Sequence, residues 1–214
     1  MIRAVVLDFD GVVLDSVGVK TRTFARLFED KGPAIVKQVV AYHLANGGIS
    51  RFRKFEHIYA DILGQPLSDA ESNRLGDRFS LLAFDEIVRA AWIPGARDFL
   101  CNYYQRYLLF IASGTPQDEL REIIRQRGLE QYFVEAFGSP STKAEILNWI
   151  VAQNRLERPE TLFVGDAMTD FQAALESGVG FIGIAPDSAS PFPASARVLP
   201  DLRKLAEAIA EIND

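Results

Sequence analysis

A short apolar strand that ends in two closely spaced carboxylates constrains this chain more than any other feature. Residues Ala4–Leu7 are apolar and rich in β-branched side chains, which predicts a strand buried on both faces of a sheet. Asp8 and Asp10 follow, and on an extended chain this spacing points both side chains to the same side. Two carboxylates held that close repel each other unless a proton or a cation lies between them. The segment therefore indicates a metal or catalytic pair, or else an acidic strand-to-helix turn.

Length and composition restrict the class of protein. The 214 residues suit one core domain with an insertion, or two modest domains. A hydrophobic content of 48% and a charged content of 24% are typical of globular proteins and exclude the disordered and fibrous classes. The formal net charge is −6 and no dense run of Lys or Arg occurs, so we expect no nucleic-acid partner.

The single cysteine and the N-terminus indicate the compartment. Cys101 excludes an internal disulfide, and its apolar, helix-like surroundings predict a buried side chain. The chain starts directly with strand residues, without a signal-peptide layout. No apolar run approaches the roughly 20 residues that span a bilayer. We therefore expect a cytoplasmic protein without a membrane partner.

The pattern after the first strand is helical up to about residue 91. Apolar residues recur at helical spacing in segments 35–46 and 49–63, and glycines follow each segment. Ser68 with Glu71 is a capping-box signature for another helix. We predict an all-helical cap domain at 17–91, inserted into an α/β core formed by 1–16 and 92–214.

Short apolar strands alternate with helices in the rest of the chain. Strands are predicted at 107–112, 134–137, 161–164 and 180–184, and helices at 168–177 and 201–212. Two further helices open with capping-box pairs, Thr115 with Asp118 and Thr142 with Glu145. This alternation predicts a Rossmann-like, doubly wound parallel sheet with helices on both faces. Such sheets bind ligands at the carboxyl ends of their strands.

Polar residues follow consecutive predicted strands and should therefore meet at one edge of the sheet. They are Asp8 and Asp10 after the first strand, Ser113-Gly114-Thr115 after the second, Lys143 after the third, and Gly165-Asp166 with Asp170 after the fourth. Unit charges about 4 Å apart interact by about 4 kcal/mol at moderate dielectric, so four clustered Asp residues need a cation. Oxygen ligands without Cys or His indicate Mg²⁺.

The same edge is suited to a phosphate group. Lys143 lies in the first turn of a predicted helix, and Ser113 with the amides of Gly11 and Gly114 can bind a tetrahedral dianion. With phosphate bound there, Asp8 can attack phosphorus, and Asp10 can protonate the leaving oxygen and then activate water. His43 and His57 both lie in the helical segment, where we expect surface or packing roles rather than a general base.

These residues resemble the four motifs of the haloacid dehalogenase superfamily, in the family's order. The matching segments are Asp8-Phe9-Asp10-Gly11-Val12-Val13-Leu14-Asp15-Ser16, Ser113, Lys143 and Gly165-Asp166-Ala167-Met168-Thr169-Asp170. The helical insertion resembles the cap of the branch that contains phosphoglycolate phosphatase and β-phosphoglucomutase. The resemblance implies an aspartyl phosphate on Asp8 and an acid/base role for Asp10.

The resemblance also implies the ligand set and the type of reaction. Mg²⁺ would be held by the Asp8 carboxylate, the Asp10 backbone carbonyl and Asp166, with Asp170 acting through water or by orienting a ligand. Ser113 and Lys143 would bind the phosphoryl group. Dehalogenating members lack an acid at the position of Asp10, so phosphoryl transfer is expected, with a small phosphorylated metabolite as partner.

Substrate choice depends on the cap. Arg51, Arg53 and Lys54 lie in the first turn of a predicted helix, where cations oppose the helix dipole. The stretch resembles the substrate loop in related caps, which implies that Arg51 and Lys54 bind substrate; we expect Arg53 to extend into solvent. Lys20 lies where β-phosphoglucomutases carry a histidine.

The departure at Lys20 makes a phosphatase the first choice over a sugar phosphomutase. A non-catalytic phosphometabolite-binding module is the remaining alternative. The sequence leaves the substrate open, and leaves the oligomeric state open between monomer and homodimer.

Overall fold

A parallel β-sheet forms the centre of the protein. The structure is a computed structural model and describes residues 1–185 and 190–213. In that part of the chain the sheet has six strands in the order β3-β2-β1-β4-β5-β6, and every neighbouring pair is parallel. The strands are β1 (Ala4–Leu7), β2 (Leu108–Pro116), β3 (Glu135–Ser139), β4 (Thr161–Gly165), β5 (Gly180–Ile184) and β6 (Arg197–Leu199).

Helices cover both faces of the sheet and build the insert between its first two strands. The helices of the insert are α1 (Val17–Leu27), α2 (Pro33–Ala45), α3 (Arg51–His57) and α4 (Asp69–Arg89). The others are α5 (Ala96–Tyr103), α6 (Gln117–Gln126), α7 (Lys143–Gln153), α8 (Met168–Ser177) and α9 (Leu205–Asn213). Single 3₁₀ turns lie at Glu29–Lys31, Glu130–Tyr132, Arg158–Glu160 and Leu202–Lys204, and a π-helical turn at Ile58–Ile62. Across the described ranges, no helix combines the length and apolar character needed to cross a bilayer.

The central strand β1 is buried on both faces, as its composition predicts. Val5 and Leu7 pack into the larger hydrophobic core, which includes residues of the helical insert, whereas Ala4 and Val6 pack into the core on the opposite face. This alternation follows from the two-residue period of a strand. The predicted fold class, a Rossmann-like parallel sheet with helices on both faces and a helical insertion, is confirmed.

Most predicted elements are confirmed, but the second strand is longer than predicted. β2 continues through Ser113, Gly114 and Thr115 to Pro116, so these residues lie within the strand rather than after it. The Thr115–Asp118 capping box is wrong, because the Thr115 hydroxyl donates to Asp10 instead, over 3.2 Å. The capping box at Thr142 is confirmed, with the Thr142 hydroxyl accepting from the Glu145 amide (3.2 Å) and the Glu145 carboxylate accepting from the Thr142 amide (2.8 Å). At Ser68 the hydroxyl caps the helix by accepting from the Glu71 amide (3.3 Å), but the Glu71 carboxylate binds Tyr59 and Arg74 instead of closing the box.

Two further features differ from the sequence-based predictions. Strand β6 was missed, because three residues at the edge of a sheet carry too short a pattern to detect. The prediction that Cys101 is buried is wrong, since this side chain is exposed beside the Tyr132 hydroxyl. The buried face of α5 consists of Ala96, Phe99 and Leu100, and the helical period places the next position outside.

The chain enters and leaves the helical insert at the same place. The amide of Asp15 donates to the carbonyl of Ala91 (2.9 Å), and the amide of Ile93 donates to the carbonyl of Val13 (3.1 Å). We propose these paired crossings as the boundary between an α/β core (1–16 and 92–214) and the helical insert (17–91). Inside the insert, a β-carbon at Gly76 would lie 2.8 Å from the Phe52 ring, so glycine lets α4 pack closely on α3.

Candidate active site

Four charged side chains meet at the carboxyl ends of the central strands. Asp8 follows β1 and Asp166 follows β4, its neighbour in the sheet, while Asp170 lies in the first turn of α8. Each of the three offers a carboxylate oxygen, and these oxygens all lie within 4.8 Å of one another. Lys143 begins α7 and contributes the cation. The structure thus brings together residues from three separate predicted motifs.

Lys143 links two of the carboxylates. Its ammonium group lies 2.7 Å from Asp8 Oδ2 and 2.5 Å from Asp170 Oδ1. The other oxygen of Asp170 accepts a hydrogen bond from the amide of Ala167 (3.1 Å). All three charged side chains are buried. Their positions are therefore held by contacts that solvent does not compete for.

Two glycines make room for the acidic cluster. A β-carbon at Gly165 would lie 2.3 Å from the β-carbon of Asp170. Gly11 has a φ of +84°, which L side chains rarely adopt, and a β-carbon there would lie 2.2 Å from Asp166 Oδ2. Any side chain at either position would displace a carboxylate of the cluster.

The carboxylates of the cluster are buried and repel one another, so their ionised forms are unfavourable without a further cation. Burial raises the pKa of Asp8 to about 7, with further upward contributions from the charges of Asp170 and Asp10, although Lys143 opposes them. Burial and the charge of Asp8 raise the pKa of Asp166 well above its usual value. The cluster has three carboxylates, and Lys143 pairs with two of them, so the donor set fits a divalent cation that binds oxygen.

Asp10 lies in a different environment from Asp8. Its carboxylate accepts hydrogen bonds from Ser16 Oγ (2.6 Å) and Thr115 Oγ1 (3.2 Å) and forms an ion pair with Lys20. Burial alone would raise the pKa of Asp10, but the charge and hydrogen bond of Lys20, together with Ser16, lower it below its usual value. The two carboxylates of the first motif thus have pKa values shifted in opposite directions.

Lys20 and Thr115 are site residues that the sequence analysis did not assign. The Lys20 ammonium donates to Thr115 Oγ1 (2.8 Å) as well as to Asp10. In the sequence, only the family resemblance drew attention to Lys20, because β-phosphoglucomutases carry a histidine at its position. Thr115 follows Ser113 by two residues on an extended strand, which places both on the same side, but it was assigned to a helix cap.

The predicted phosphate-binding residues Ser113 and Gly114 both lie near Asp8, but only Gly114 lines the cavity. Gly114 lines the cavity above Asp8, whereas Ser113 is buried and its hydroxyl accepts from the amide of Thr115 (3.1 Å). A β-carbon at Gly114 would lie 2.4 Å from the carbonyl oxygen of Gly48, in the helical insert. Gly114 is therefore also where the insert packs onto the core.

The loop between α2 and α3 closes the site from above. Thr169 Oγ1 of the core donates to the carbonyl of Gly47 over 2.5 Å. Gly48 has a φ of +78°, and a β-carbon there would lie 2.9 Å from Lys143 Nζ. The two consecutive glycines therefore allow the loop backbone to lie directly against the acidic cluster.

A cavity of about 240 Å³ remains between the insert and the core. Asp8, Asp10 and Asp166 form part of its wall on the core side. On the insert side the wall is largely apolar, with polar side chains at four positions: Lys20, His43, Arg51 and Lys54. Asp8 therefore faces a small, mostly apolar chamber.

The two cap residues predicted to bind substrate both lie in this wall, but their partners differ. The Arg51 guanidinium donates to Ser80 Oγ (2.9 Å), pairs with Glu119 Oε1 of helix α6 (2.5 Å) and lies 4.2 Å from the Phe79 ring centre. Lys54 instead contacts His43, which is buried against Phe24 rather than exposed. Arg53 extends into solvent, as expected.

The fold is an α/β sheet with a helical insert, and it holds an acidic cluster with a buried lysine at the strand ends. The chain belongs to the haloacid dehalogenase-like hydrolase family, which it matches over residues 2–178. It is 28% identical over 189 residues to a phosphoglycolate phosphatase of Aliivibrio fischeri, covering 83% of this chain and 81% of that one. A phosphoglycolate phosphatase of Vibrio parahaemolyticus is 26% identical, covering 98% of this chain and 96% of that one.

The solved structures agree on the fold. β-Phosphoglucomutase from Clostridium difficile superposes with a TM-score of 0.81 at 18% identity, covering 99% of this chain and 97% of that one. The predicted family is confirmed, and with it the class of enzyme, a hydrolase of phosphoric monoesters.

Proposed function

We propose that this protein is a Mg²⁺-dependent phosphatase that hydrolyses the phosphate monoester of a small metabolite through an aspartyl phosphate on Asp8. One observation carries the proposal: the Asp8 carboxylate lines the cavity and contacts Lys143 beside two further carboxylates. A carboxylate nucleophile next to the Lys143 ammonium and next to a site for a metal cation is suited to attack a phosphate dianion.

The donor set supports a metal at the acidic cluster. The carboxylates of Asp8 and Asp166, with the backbone carbonyl of Asp10, would hold Mg²⁺, and Asp170 would orient the site while it binds Lys143. When bound, the ion neutralises the excess negative charge of the cluster and of the phosphoryl group.

The chain's own residues would carry two displacement steps. The Asp8 carboxylate attacks phosphorus and the bond to the ester oxygen breaks, while Lys143 stabilises the phosphoryl oxygens. Asp10 is a carboxylate in the free protein, so it first takes up a proton as the ester binds; it then gives that proton to the departing oxygen, which leaves as the alcohol. Asp10 then takes a proton from a water molecule that attacks phosphorus, which releases inorganic phosphate and restores the Asp8 carboxylate. Ser16, Thr115 and Lys20 hold Asp10 in place for both steps.

Phosphoglycolate is the first substrate to test, because two relatives that cover most of the chain carry the name phosphoglycolate phosphatase. Hydrolysis is preferred to a mutase reaction, since a mutase must bind a sugar in two orientations. The wall of the cavity offers few polar side chains to do so, and Lys20 and Arg51 are already paired with carboxylates.

The proposal is tested by phosphate release from a panel of phosphorylated metabolites with and without Mg²⁺. We expect Mg²⁺-dependent release that Asp8→Asn abolishes, because an amide cannot attack phosphorus. Asp15→Asn, at an exposed position of the same segment, serves as the control and should retain activity.

Two results would contradict this function. One is release of halide from haloacids without phosphate from any ester. The other is phosphate release that persists in Asp8→Asn. Absence of both activities together with tight binding of a phosphometabolite would favour the non-catalytic module.

A further inference from the structure

Lys54 is a buried cation that faces the cavity. Only 3% of its surface is exposed, and it lines the chamber above Asp8. The other cations in the wall have carboxylate partners: Lys20 pairs with Asp10, and Arg51 pairs with Glu119. Within residues 1–185 and 190–213, no carboxylate oxygen lies within 4.0 Å of the Lys54 ammonium. A buried charge without a counter-ion costs several kcal/mol, so this position is suited to an anion that arrives with a ligand.

His43 orients Lys54, and within residues 1–185 and 190–213 its two contacts leave one N–H of the ammonium group without a partner. The ammonium contacts His43 Nδ1 (2.9 Å) and donates to the carbonyl of His43 (3.3 Å). Burial and the charge of Lys54 lower the pKa of His43 to about 3, so the ring is neutral and can accept at Nδ1. The ring is fixed by stacking on Phe24, with centres 4.6 Å apart. An ammonium group has three N–H donors, which leaves one for a group in the cavity.

The small volume and largely apolar lining of the cavity favour a small leaving group with few hydroxyls. The insert side of the cavity is lined by Val17, Phe24, Leu44, Ala45, Gly47, Gly48, Ile49 and Phe79 besides its four polar side chains. A leaving group with many hydroxyls would lose its hydrogen bonds to water there without replacement. A short chain that ends in one anionic group would find its partner in Lys54.

We propose that Lys54, positioned by His43, binds a carboxylate on the leaving group, so that the enzyme prefers phosphate monoesters of short hydroxy acids to those of neutral alcohols. This inference rests on the proposed phosphatase function and adds its specificity determinant. The phosphoryl end would lie at Asp8 and Lys143, and the carboxylate end at Lys54, on opposite walls of the same chamber. In this proposal Asp8 and Asp10 carry out phosphoryl transfer, and Lys54 determines which leaving group is preferred.

The charge state of Lys54 adds a pH signature. Burial, reinforced by the charges of Lys20 and Lys143 and opposed by Asp10 and Asp166, lowers the pKa of Lys54 to about 7; neutral His43 is its direct contact. A carboxylate stabilises the protonated form. The preference for the acidic ester should therefore decline as the pH rises through 7, whereas effects at Asp8 act on both esters and cancel in the ratio.

The kinetic test compares phosphoglycolate with ethyl phosphate, which has a neutral leaving group of the same length. Lys54→Met should lower kcat/KM for phosphoglycolate about 10- to 100-fold, mainly through KM, as expected for loss of one charge-assisted hydrogen bond. Ethyl phosphate should change less than about threefold, by the same reasoning that it makes no such bond. His43→Leu should act in the same direction, and Lys37→Met, an exposed lysine of α2, is the matched control.

Equal losses on both esters in Lys54→Met, or a wild-type enzyme without preference between them, would overturn the inference. If wild type hydrolyses neither ester, the phosphatase proposal fails, but the inference is still decided by calorimetry in the Asp8→Asn background with Mg²⁺. Phosphoglycolate should bind about 10- to 100-fold more weakly when Lys54→Met is added, and inorganic phosphate should bind equally. Equal loss for both ligands contradicts the role of Lys54.

Discussion

Asp8 and Asp10 are two residues apart and yet lie in opposite electrostatic environments. Asp8 is buried beside other carboxylates, and burial, with the charges of Asp170 and Asp10, raises its pKa to about 7. Asp10 is bound by Lys20, Ser16 and Thr115. Burial would raise its pKa, but the charge and hydrogen bond of Lys20, with the hydrogen bond of Ser16, lower it. Neighbouring carboxylates with pKa values shifted apart are typical of functional sites. With these directions, Asp8 needs a cation beside it to be ionised as a nucleophile, and Asp10 must take up a proton before it can act as an acid.

The role of Asp10 as leaving-group acid predicts a dependence on the leaving group. In Asp10→Asn, kcat/KM for an alkyl phosphate should fall by about 10²- to 10⁴-fold, the usual contribution of a general acid. The loss should be much smaller for p-nitrophenyl phosphate, because a phenolate of low pKa leaves without a proton. Steady-state kinetics with both esters, with Asp15→Asn as control, measures the difference. Equal losses of kcat/KM for the two esters would show that Asp10 does not protonate the leaving group.

At the scale of elements, one contact that joins the insert to the core next to the cavity is a buried ion pair. Arg51 of α3 binds Glu119 of α6, and Ser80 of α4 donates to the second oxygen of Glu119 over 2.5 Å. The exposed fractions of the two charged side chains are 5% and 9%. The prediction that Arg51 binds substrate remains untested, but its guanidinium is already engaged. We propose that this cluster stabilises the closed position of the insert.

Breaking the ion pair should therefore affect all substrates alike. Glu119→Gln leaves Arg51 without a counter-ion, and losing one partner of a buried pair costs about 3–5 kcal/mol. We expect kcat/KM to fall at least tenfold for phosphoglycolate and ethyl phosphate equally, by the same estimate. Small-angle scattering should register a more open molecule. The control is Glu122→Gln, since Glu122 pairs with Arg125 within the same helix.

Arg51→Ala separates the two roles of this arginine. A selective rise in KM for the preferred substrate would support direct substrate binding. Equal effects on both esters would support the role in closure, and we expect the equal effects because both contacts of the guanidinium are within the protein.

For the whole molecule, the acidic cluster links stability to pH and to metal. The folded-state pKa of Asp8 is raised from 3.8 to about 7, and that of Asp166 is raised as well. Their contribution to the free energy of unfolding is fully present below pH 3.8 and is lost as the pH rises to about 7, because the unfolded chain releases these protons first. The metal-free protein should therefore become less stable over this interval.

Mg²⁺ should restore that stability most strongly above pH 7. At 100 times its dissociation constant it adds about 2.7 kcal/mol, or roughly 5–10 °C in Tm for a chain of this size. Differential scanning fluorimetry at pH 5 and pH 8 measures the effect. In Asp166→Asn we expect a higher metal-free Tm and a much smaller response to Mg²⁺. An equal shift at both pH values would contradict the assignment of the cluster.

The linear pattern of the sequence determined the fold and the residues that meet at the centre of the candidate site. A buried strand followed by Asp8 and Asp10, and the recurrence of polar residues after each later strand, are local signals. Parallel strands place their carboxyl ends at one edge whatever the details of packing. The positions of Asp8, Lys143, Asp166 and Asp170 around one point follow from that rule, and the structure has them there.

The tertiary structure alone decided how the insert and the core share the remaining charges. Arg51 and Glu119 are 68 positions apart, and Lys20 and Thr115 are 95 apart. Periodicity reports which face of a helix is buried, but not which side chain of another element that face meets. Either Lys54 or Arg51 could have been the cation that faces the cavity without a carboxylate partner. The outcome depends on how the helices of the insert pack against α6 and on the course of the loop at Gly47 and Gly48. Those are long-range contacts, for which the order of residues carries no local signal.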